Sequence, residues 1–533
     1  MEPQDDIAGL LSQLKRRSGL SYAELGTRLY VSRSSLHRYC TGRGGPPNYR
    51  LLVGIAEECG ATEEELNELL RRWRRREKGA PAAEPRPEVP ATESGSPRVR
   101  LVAVALVLLM VFAATSSAPD GVGADASAAA GAEITAPPWQ AQPVPVSPEL
   151  FGVTINSASG TMPAFQTGSV RFWDSQTRWA NLQPARDRFD WATLDRLVGG
   201  AEKAGLPTLF VLGGTPGWAA PNSPKGAYTD GSRTGAPENL ADWDRFVQAL
   251  ASRYRGRIDA YELWVQATHH MYFSGSVEQL VEMTERAAKI VRSSDPDATL
   301  VCPSMGQLWQ PEAREILKRF ADLGGYHHCD AAGVKLYQRN AADPPETLVR
   351  LLGEIDATMH AAGVHPPLWN TGTVYDVPLR EPLTPARSVD YALRFYLAGL
   401  YGREFNLRRM YFYNWGSGKL PLVLQVEGSP PTDAALAVET LQRWLAGSRL
   451  RGCGQGLPAG LPANVWQCEF LDGADRLRVI RWTHSGTAFT ATGPGAESHV
   501  RIDGETTAVR PGESLRITET PSLITYAART GPG

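Results

Sequence analysis

An uncharged run of nineteen residues at 101–119 constrains this 533-residue chain more than any other feature. At about 1.5 Å per residue, a helix of that length would cross the ~30 Å hydrocarbon core of a bilayer. Arg98 and Arg100 precede the run, and no Lys or Arg follows it before Arg171. Cationic residues concentrate on the cytoplasmic side of a span. We therefore expect a single-pass cell-membrane protein with one transmembrane helix at 99–119, a cytoplasmic N-terminus and extracellular C-terminal domains.

Low-complexity sequence flanks the run on both sides, which argues against the alternative of a buried core helix. Residues 79–98 are rich in Pro, Ala and Glu, and residues 120–145 are rich in Ala, Gly and Pro. Such compositions bury too little apolar surface to fold, so both segments are predicted to be disordered linkers. A cleaved signal peptide is disfavoured because about a hundred residues precede the run. The folded domains are then predicted at 1–78, 146–447 and 448–533.

Residues 1–78 carry the periodicity of a small all-α domain. Ser21 and Glu24 have the spacing of a capping box at the start of one helix. The next helix, beginning near Ser32, directs Leu36 and Tyr39 inward. Hydroxyl and guanidinium groups on its other face suit base edges and phosphates in a major groove. The candidate DNA-binding residues on that face are Arg33, Ser34, Ser35, His37 and Arg38.

The stretch SYAELGTRLYVSRSSLHRYCTGR at 21–43 resembles the lambda-repressor-like helix-turn-helix family of actinobacterial regulators, over about residues 7–75. This resemblance implies DNA as a partner and a possible homodimer that binds two half-sites. The sequence departs from the family at Tyr30, where the turn often carries Gly. The alternative is a protein-binding module of the same fold that makes no DNA contact.

Eight short apolar runs alternate with amphipathic helical patterns across 146–447. This alternation over ~300 residues is typical of a (β/α)8 TIM barrel, whose ligands bind at the carboxyl ends of the strands. Aromatic rings and amides are concentrated at those ends, as a sugar ligand requires. The alternative is that most of the rings belong to the core. The candidate carbohydrate-binding residues are Trp173, Trp218, Trp264, Gln266, Tyr337, Trp369, Asn370 and Trp415.

The motifs GGTPGWAA after the third strand, YELW in the fourth, PLWNT in the seventh and YFYNWGS in the eighth resemble glycoside hydrolase family 39, a family of β-xylosidase-like retaining enzymes. The resemblance implies a catalytic acid ending the fourth strand and a nucleophile ending the seventh. Those positions are Gln266 and Gly372 here. An amide has no proton to give as a general acid, and glycine has no side chain. We therefore predict no catalytic residue and a glycan-binding pseudoenzyme.

Three functions remain open at this level. The favoured one is a membrane-anchored regulator or sensor with a DNA-binding head and a barrel that binds a glycan outside the cell. An active cell-surface glycosidase would need relocated carboxylates, for which Asp174, Glu262 and Asp376 are the nearest in sequence. An envelope scaffold is the third possibility. The sequence therefore favours a protein that is not an enzyme, with the active glycosidase kept as the alternative.

Residues 448–533 alternate in short runs separated by turn residues, which predicts an antiparallel β-sandwich. Cys453 and Cys468, fifteen residues apart, are expected to form a disulfide. Pairing of Cys302 with Cys329 stays open, since sequence does not supply the distance between them. No Cys/His grouping has the spacing of zinc ligands, so no metal and no cofactor are expected.

Overall fold

The computed structural model falls into two compact units, one within Met1–Ala132 and the other within Glu133–Gly533. The residues that it describes are 7–29, 33–42, 49–62, 65–66, 68–69, 72, 134–338, 343–372, 383–416 and 422–528.

The predicted membrane span is corrected by the structure. Across the described ranges, no helix combines the length and the apolar character needed to cross a bilayer. The transmembrane helix and the single-pass membrane placement are therefore not retained. The run at 99–119 that suggested them lies outside the described residues, as does the predicted linker at 79–98.

The described part of the N-terminal unit contains four short helices packed on one apolar core. The core side chains of Leu11, Leu14, Leu25, Leu36 and Ile55 are fully buried. In α1, for example, the buried residues Ile7, Leu11 and Leu14 are spaced by four and three residues, which places them on one face of the helix. The helices are α1 (Ile7–Ser18), α2 (Tyr22–Leu29), α3 (Arg33–Cys40) and α4 (Tyr49–Glu58).

The capping box indicated by the sequence is present at the start of α2. The backbone N–H of Ser21 donates to Glu24 Oε2 over 2.7 Å, and the backbone N–H of Glu24 donates to Ser21 Oγ over 3.2 Å. These two bonds satisfy backbone donors that have no partner within the helix, so they define where α2 begins.

The C-terminal unit is built around eight parallel strands that close into a barrel. The last strand pairs with both its predecessor and the first strand, which completes the ring. This closure confirms the TIM barrel predicted from the sequence. In chain order the strands are β1 (Trp139–Pro145), outside the barrel, then β2 (Phe151–Ile155), β3 (Ser169–Phe172), β4 (Thr208–Val211), β5 (Ala260–Glu262), β6 (Thr299–Met305), β7 (Ala331–Val334), β8 (Leu368–Asn370) and β9 (Leu407–Gly416).

Amphipathic helices surround the barrel and bury their apolar faces against it. The two-residue strand β10 (Gln425–Val426) extends the sheet beside the carboxyl end of β9. The helices are α5 (Trp179–Leu182), α6 (Ala192–Ala204), α7 (Leu240–Arg253), α8 (Val277–Ser294), α9 (Pro311–Asp322), α10 (Thr347–Ala361), α11 (Pro385–Tyr401) and α12 (Asp433–Leu445).

Two antiparallel sheets follow the barrel and enclose a small apolar core. The larger has seven strands in the order β1-β11-β12-β13-β18-β15-β16, and the smaller pairs β14 with β17. The strands are β11 (Arg449–Gln455), β12 (Val465–Leu471), β13 (Leu477–Thr483), β14 (Ala488–Ala491), β15 (Ala496–Val500), β16 (Thr506–Ala508), β17 (Ser514–Ile517) and β18 (Ser522–Tyr526).

The prediction of disorder across 120–145 is wrong at its C-terminal end. β1 pairs antiparallel with β11, so a segment that precedes the barrel forms the edge of the sheet that follows it. The indole of Trp139 donates to the carbonyl of Tyr401, and the hydroxyl of Tyr401 donates to the carbonyl of Pro137. The backbone N–H and C=O groups of β1 find their partners on β11, which is distant along the chain. The composition of the segment alone therefore did not reveal the strand.

Both cysteine pairs considered in the sequence analysis form disulfides. Cys453 and Cys468 lie directly opposite each other on β11 and β12, with their Cα atoms 4.1 Å apart. Cys302 and Cys329 are joined with their Cα atoms 5.4 Å apart. The pairing left open by the sequence therefore depended on the packing of β6 against the turn that precedes β7.

A buried ion pair joins the barrel to the antiparallel sheets. The guanidinium of Arg394 on α11 bonds both carboxylate oxygens of Glu346, over 2.8 and 2.7 Å, and neither side chain is more than 1% exposed. From the β domain, the indole of Trp482 donates to Glu346 and Glu519 accepts from Arg394. This network fixes the docking of the two parts because each buried charge has partners on both sides.

We expect Arg394→Ala to lower the free energy of unfolding by ~3–5 kcal/mol, because it leaves the Glu346 carboxylate buried without its cation. Chemical denaturation of the full chain measures this change. The matched control is Arg443→Ala, which removes an exposed pair with Glu439 on α12 and should cost under ~0.5 kcal/mol. Equal effects of the two substitutions would contradict the proposed docking role.

Candidate functional site

The exposed face of α3 carries the cationic residues predicted to contact DNA. Arg33, His37 and Arg38 are exposed, while Leu36 and Cys40 are buried against the other helices. The ring of His37 meets that of Tyr22 edge-on, with centroids 5.3 Å apart, so α2 and α3 form one continuous surface. The side chains of Ser34 and Ser35 lie outside the described part.

Three charged side chains meet inside the barrel below its carboxyl-end mouth. Arg171 comes from β3, Glu262 ends β5 and Lys335 follows β7. Arg171 Nε lies 2.8 Å from Glu262 Oε2, and Lys335 Nζ lies 3.9 Å from Glu262 Oε1. All three are almost completely buried. Because these residues come from separate strands, only closure of the barrel brings them together.

The electrostatics of this cluster hold Glu262 ionised and weaken the charge of Lys335. Burial alone would raise the pKa of Glu262, but the charges of Arg171 and Lys335 outweigh it and lower that pKa. Burial, reinforced by the positive charge of Arg171, lowers the pKa of Lys335 to about 7, although Glu262 and Asp174 oppose the shift. The mouth therefore contains an amine that titrates near neutrality.

The position that ends the seventh barrel strand has no room for a side chain. A β carbon at Gly372 would lie 2.9 Å from both Cα and Cδ of Lys335 and 3.1 Å from Asn370 Oδ1. Such distances fall below ordinary van der Waals contact, and one of the atoms is backbone. Lys335 thus occupies the space that a side chain at position 372 would need.

Gln266, which follows the fourth strand, is held in place by its backbone and by a close neighbour. Its backbone N–H donates to Ser304 Oγ over 2.9 Å, and its φ of 43° lies in the left-handed region. A β carbon at Gly306 would come within 2.8 Å of the Gln266 side chain. The amide is therefore packed at the rim of the mouth, where it is half-buried.

A second polar cluster lies at the mouth, and the sequence analysis missed most of it. Arg178 contacts Asp174 at 3.7 Å, and also pairs with Asp230. Its guanidinium stacks 3.8 Å from the centroid of the Tyr228 ring. Burial and the nearby Asp174 raise the pKa of Tyr413, which hydrogen-bonds that carboxylate. The i, i+4 spacing of Asp174 and Arg178 was the one local signal for this cluster.

Four predicted carbohydrate-binding residues are core residues in this structure. Trp264 and Trp415 are at most 1% exposed, and their indoles donate to Tyr272 and Gln425 respectively. Trp369 packs at the amino end of the barrel, opposite the mouth, with Ala260 and Ala331. The Asn370 Oδ1 atom accepts from the backbone N–H groups of Leu336 and Gly372. These four side chains are buried among other residues of the barrel and are not accessible to a ligand. We therefore correct their assignment as carbohydrate-binding residues.

The remaining predicted residues lie at or near the mouth. Trp173 is 4% exposed, and its indole donates to the hydroxyl of Tyr228 over 2.7 Å. Trp218 is half-buried and bonds the carbonyl of Gln183. The hydroxyl of Tyr337 accepts from the backbone N–H of Gln307 over 2.7 Å. Carbohydrate binding by these three residues and by Gln266 stays a prediction.

Three carboxylates were considered as replacements for the two catalytic carboxylates of a glycosidase, and they differ in their position. Glu262 is fully buried in the ion cluster and does not reach the rim. Asp174 lies at the mouth but is paired with Arg178 and bonded by Tyr413. Asp376 lies outside the described residues.

Residues 6–69 match a family model described as a helix-turn-helix domain. The head is a helix-turn-helix domain. A search of curated proteins found no match to the chain. Helix-turn-helix domains bind DNA, and contact through the exposed residues of α3 stays a prediction.

Two solved structures share the fold of the C-terminal unit. A family 39 glycoside hydrolase from Bacteroides cellulosilyticus WH2 is 14% identical, with a TM-score of 0.51, and the match covers 68% of this chain and 76% of that one. A glucosidase from Croceicoccus marinus is 14% identical, with a TM-score of 0.52, over 73% of this chain and 98% of that one. At such identity the likeness shows the fold alone, a family-39-like barrel.

We expect Gly372→Ala to destabilise the full chain by ~1–3 kcal/mol, because the added methyl group collides with Lys335. Thermal and denaturant unfolding would measure the effect. The control is Gly199→Ala on α6, where a β carbon meets nothing within 4 Å and should be neutral or stabilising by up to ~1 kcal/mol. Tolerance of Ala at 372 would show that Lys335 does not fill this space.

Proposed function

We propose that this chain is a DNA-binding regulator whose barrel binds a carbohydrate without hydrolysing it. The observation that carries the proposal is the Lys335 side chain packed against Gly372, with Glu262 held in a buried ion pair beside it. In this proposal the helix-turn-helix domain binds DNA, and the barrel of glycosidase-like fold binds the carbohydrate.

The absence of hydrolysis follows from the chemistry that glycosidic cleavage needs. A retaining mechanism uses two carboxyl groups ~5–5.5 Å apart, one as acid and one as nucleophile. Gln266 offers an amide at the acid position, and Gly372 offers no side chain at the nucleophile position. Glu262 is close to that region, but two cations hold it ionised, and it lies below the mouth. A buried, paired carboxylate is poorly placed to attack an anomeric carbon.

Carbohydrate binding is supported by unsatisfied and half-buried polar groups near the mouth. Gln338 follows Tyr337 after the sixth barrel strand and is 1% exposed, yet among the described residues neither its Oε1 nor its Nε2 atom has a hydrogen-bond partner. A buried amide normally finds partners, and this one offers an acceptor beside two donors. Adjacent hydroxyl groups of a sugar complement that pattern, and the half-buried Trp218 ring offers an apolar face.

Both Arg33 and Arg38 are expected to contact phosphate or base edges from the exposed face of α3. In the full chain, Arg33→Ala with Arg38→Ala should weaken DNA binding at least ~10-fold at low salt and reduce the slope of log K against log salt by ~1 to 2. Titration of labelled duplexes selected from a random library measures both quantities.

The control for this DNA-binding test is Arg257→Ala, an exposed arginine paired with Glu202 far along the chain from α3. It should leave DNA binding unchanged. If the Arg33/Arg38 variant binds DNA like the parent, the head is a protein-binding module instead.

The barrel is tested on the full chain with a panel of pentose and hexose oligosaccharides and their 4-nitrophenyl glycosides. We expect binding of at least one oligosaccharide without release of nitrophenol. Gln338→Ala should weaken that binding ~2- to 10-fold, the value of one neutral hydrogen bond or two. Gln248→Ala, on the exposed surface of α7, is the matched control.

Two outcomes would contradict the barrel assignment. Turnover that Asp174→Asn abolishes would identify a relocated catalytic carboxylate and an active glycosidase. Failure to bind any member of the panel would favour a scaffold.

A further inference from the structure

Lys335 has a position and a set of partners that the proposed binding role does not use. It follows the carboxyl end of β7, and its side chain reaches across the barrel interior towards β5 and β8. Its Nζ atom donates to the carbonyl oxygen of Thr371 and lies 3.9 Å from Glu262 Oε1. Only 8% of this side chain is accessible and its amine lies inside the barrel below the mouth, so an aldehyde has to enter the mouth to reach it.

Charged groups from two other strands face this amine. Glu262 ends β5, Arg171 lies on β3, and Asp174 follows β3 at the mouth. Burial and Arg171 disfavour the ammonium form, while the two carboxylates favour it; the pKa of Lys335 is lowered to about 7. A lysine desolvated beside another cation is a recognised nucleophile towards carbonyl groups. Near neutral pH a large fraction of this amine carries its free electron pair.

We propose that Lys335 captures the open-chain aldehyde of a reducing sugar as an imine. The neutral amine attacks the carbonyl carbon, a C–N bond forms as the C=O π bond breaks, and one nitrogen proton passes through the Glu262 carboxylate to the oxygen to give a carbinolamine. The nitrogen electron pair then forms the C=N bond as the C–O bond breaks, and the second nitrogen proton, again carried by Glu262, joins the departing hydroxyl to complete the water. One water is released, and neither an oxidant nor a reductant is consumed.

This capture rests on the proposed function only in requiring that the mouth admits a sugar. It deepens that function because a covalent bond retains a ligand that hydrogen bonds alone would release quickly. It also selects for a free aldehyde, so a reducing sugar binds covalently and a glycoside does not. The chemistry uses the space that Gly372 leaves open to the lysine stem.

The test is reductive trapping on the full chain at pH 7. The protein is incubated with glycolaldehyde or D-xylose and cyanoborohydride, which delivers hydride to the imine carbon, and the modified peptides are mapped by mass spectrometry. Lys289, with 73% of its side chain exposed, is the internal control for unselective reaction. An exposed lysine lacks the burial that lowers the pKa of Lys335. We expect Lys335 to be modified at least ~10-fold faster than Lys289.

Lys335→Arg retains a positive charge and cannot form an imine, so it should lose the fast adduct and keep the slow surface adducts. Should this variant fold poorly, the ratio of Lys335 to Lys289 labelling in the parent still decides the matter. Labelling at Lys289 with none at Lys335 overturns the proposal. Binding of a methyl glycoside, which has no aldehyde, is measured in parallel. If the methyl glycoside binds while Lys335 is unmodified, imine capture fails and the proposed function stands; if neither is observed, both fail.

Discussion

The ion pair between Arg171 and Glu262 is the interaction on which the barrel interior depends. Neither charge is exposed to water by more than 2%, and a buried charge without a partner costs several kcal/mol. Arg171 compensates Glu262 on one side and Lys335 approaches it on the other. Because these residues come from β3, β5 and the end of β7, the cluster ties distant strands together at the depth where the mouth begins.

This arrangement links position 372 to the rest of the buried cluster. The stem of Lys335 packs where a β carbon at Gly372 would lie, and its ammonium group is directed to the same carboxylate that Arg171 holds. A carboxylate side chain at position 372 would therefore require Lys335 to move and to contact different residues. A second cluster lies around Arg178, whose charge is balanced by Asp174 and Asp230.

The barrel also depends on chain segments that lie outside it in sequence. Strand β1 precedes the barrel but completes the sheet that follows it, and Arg394 on α11 bonds carboxylates from both sides of that junction. These contacts make the barrel and the antiparallel sheets one compact unit. The helix-turn-helix domain has its own apolar core, in which Leu11, Leu25 and Leu36 are fully buried.

The sequence by itself determined the local structure: periodicity located the four described head helices and the eight barrel strands, and Ser21 with Glu24 marked a helix start. It also showed Gln266 and Gly372 at the two positions where the family resemblance implies carboxylates, and the absence of catalysis there stays a prediction. It was wrong for β1 and for the buried ring of Trp369, whose partners are distant along the chain, and the predicted membrane span is not retained. Only the tertiary structure decided that Arg171, Glu262 and Lys335 share one interior and that Lys335 fills the space beside Gly372. Periodicity reports which face of an element is apolar, whereas barrel closure selects the partners of a buried charge, as for Arg171 and Glu262, which are 91 residues apart in the chain.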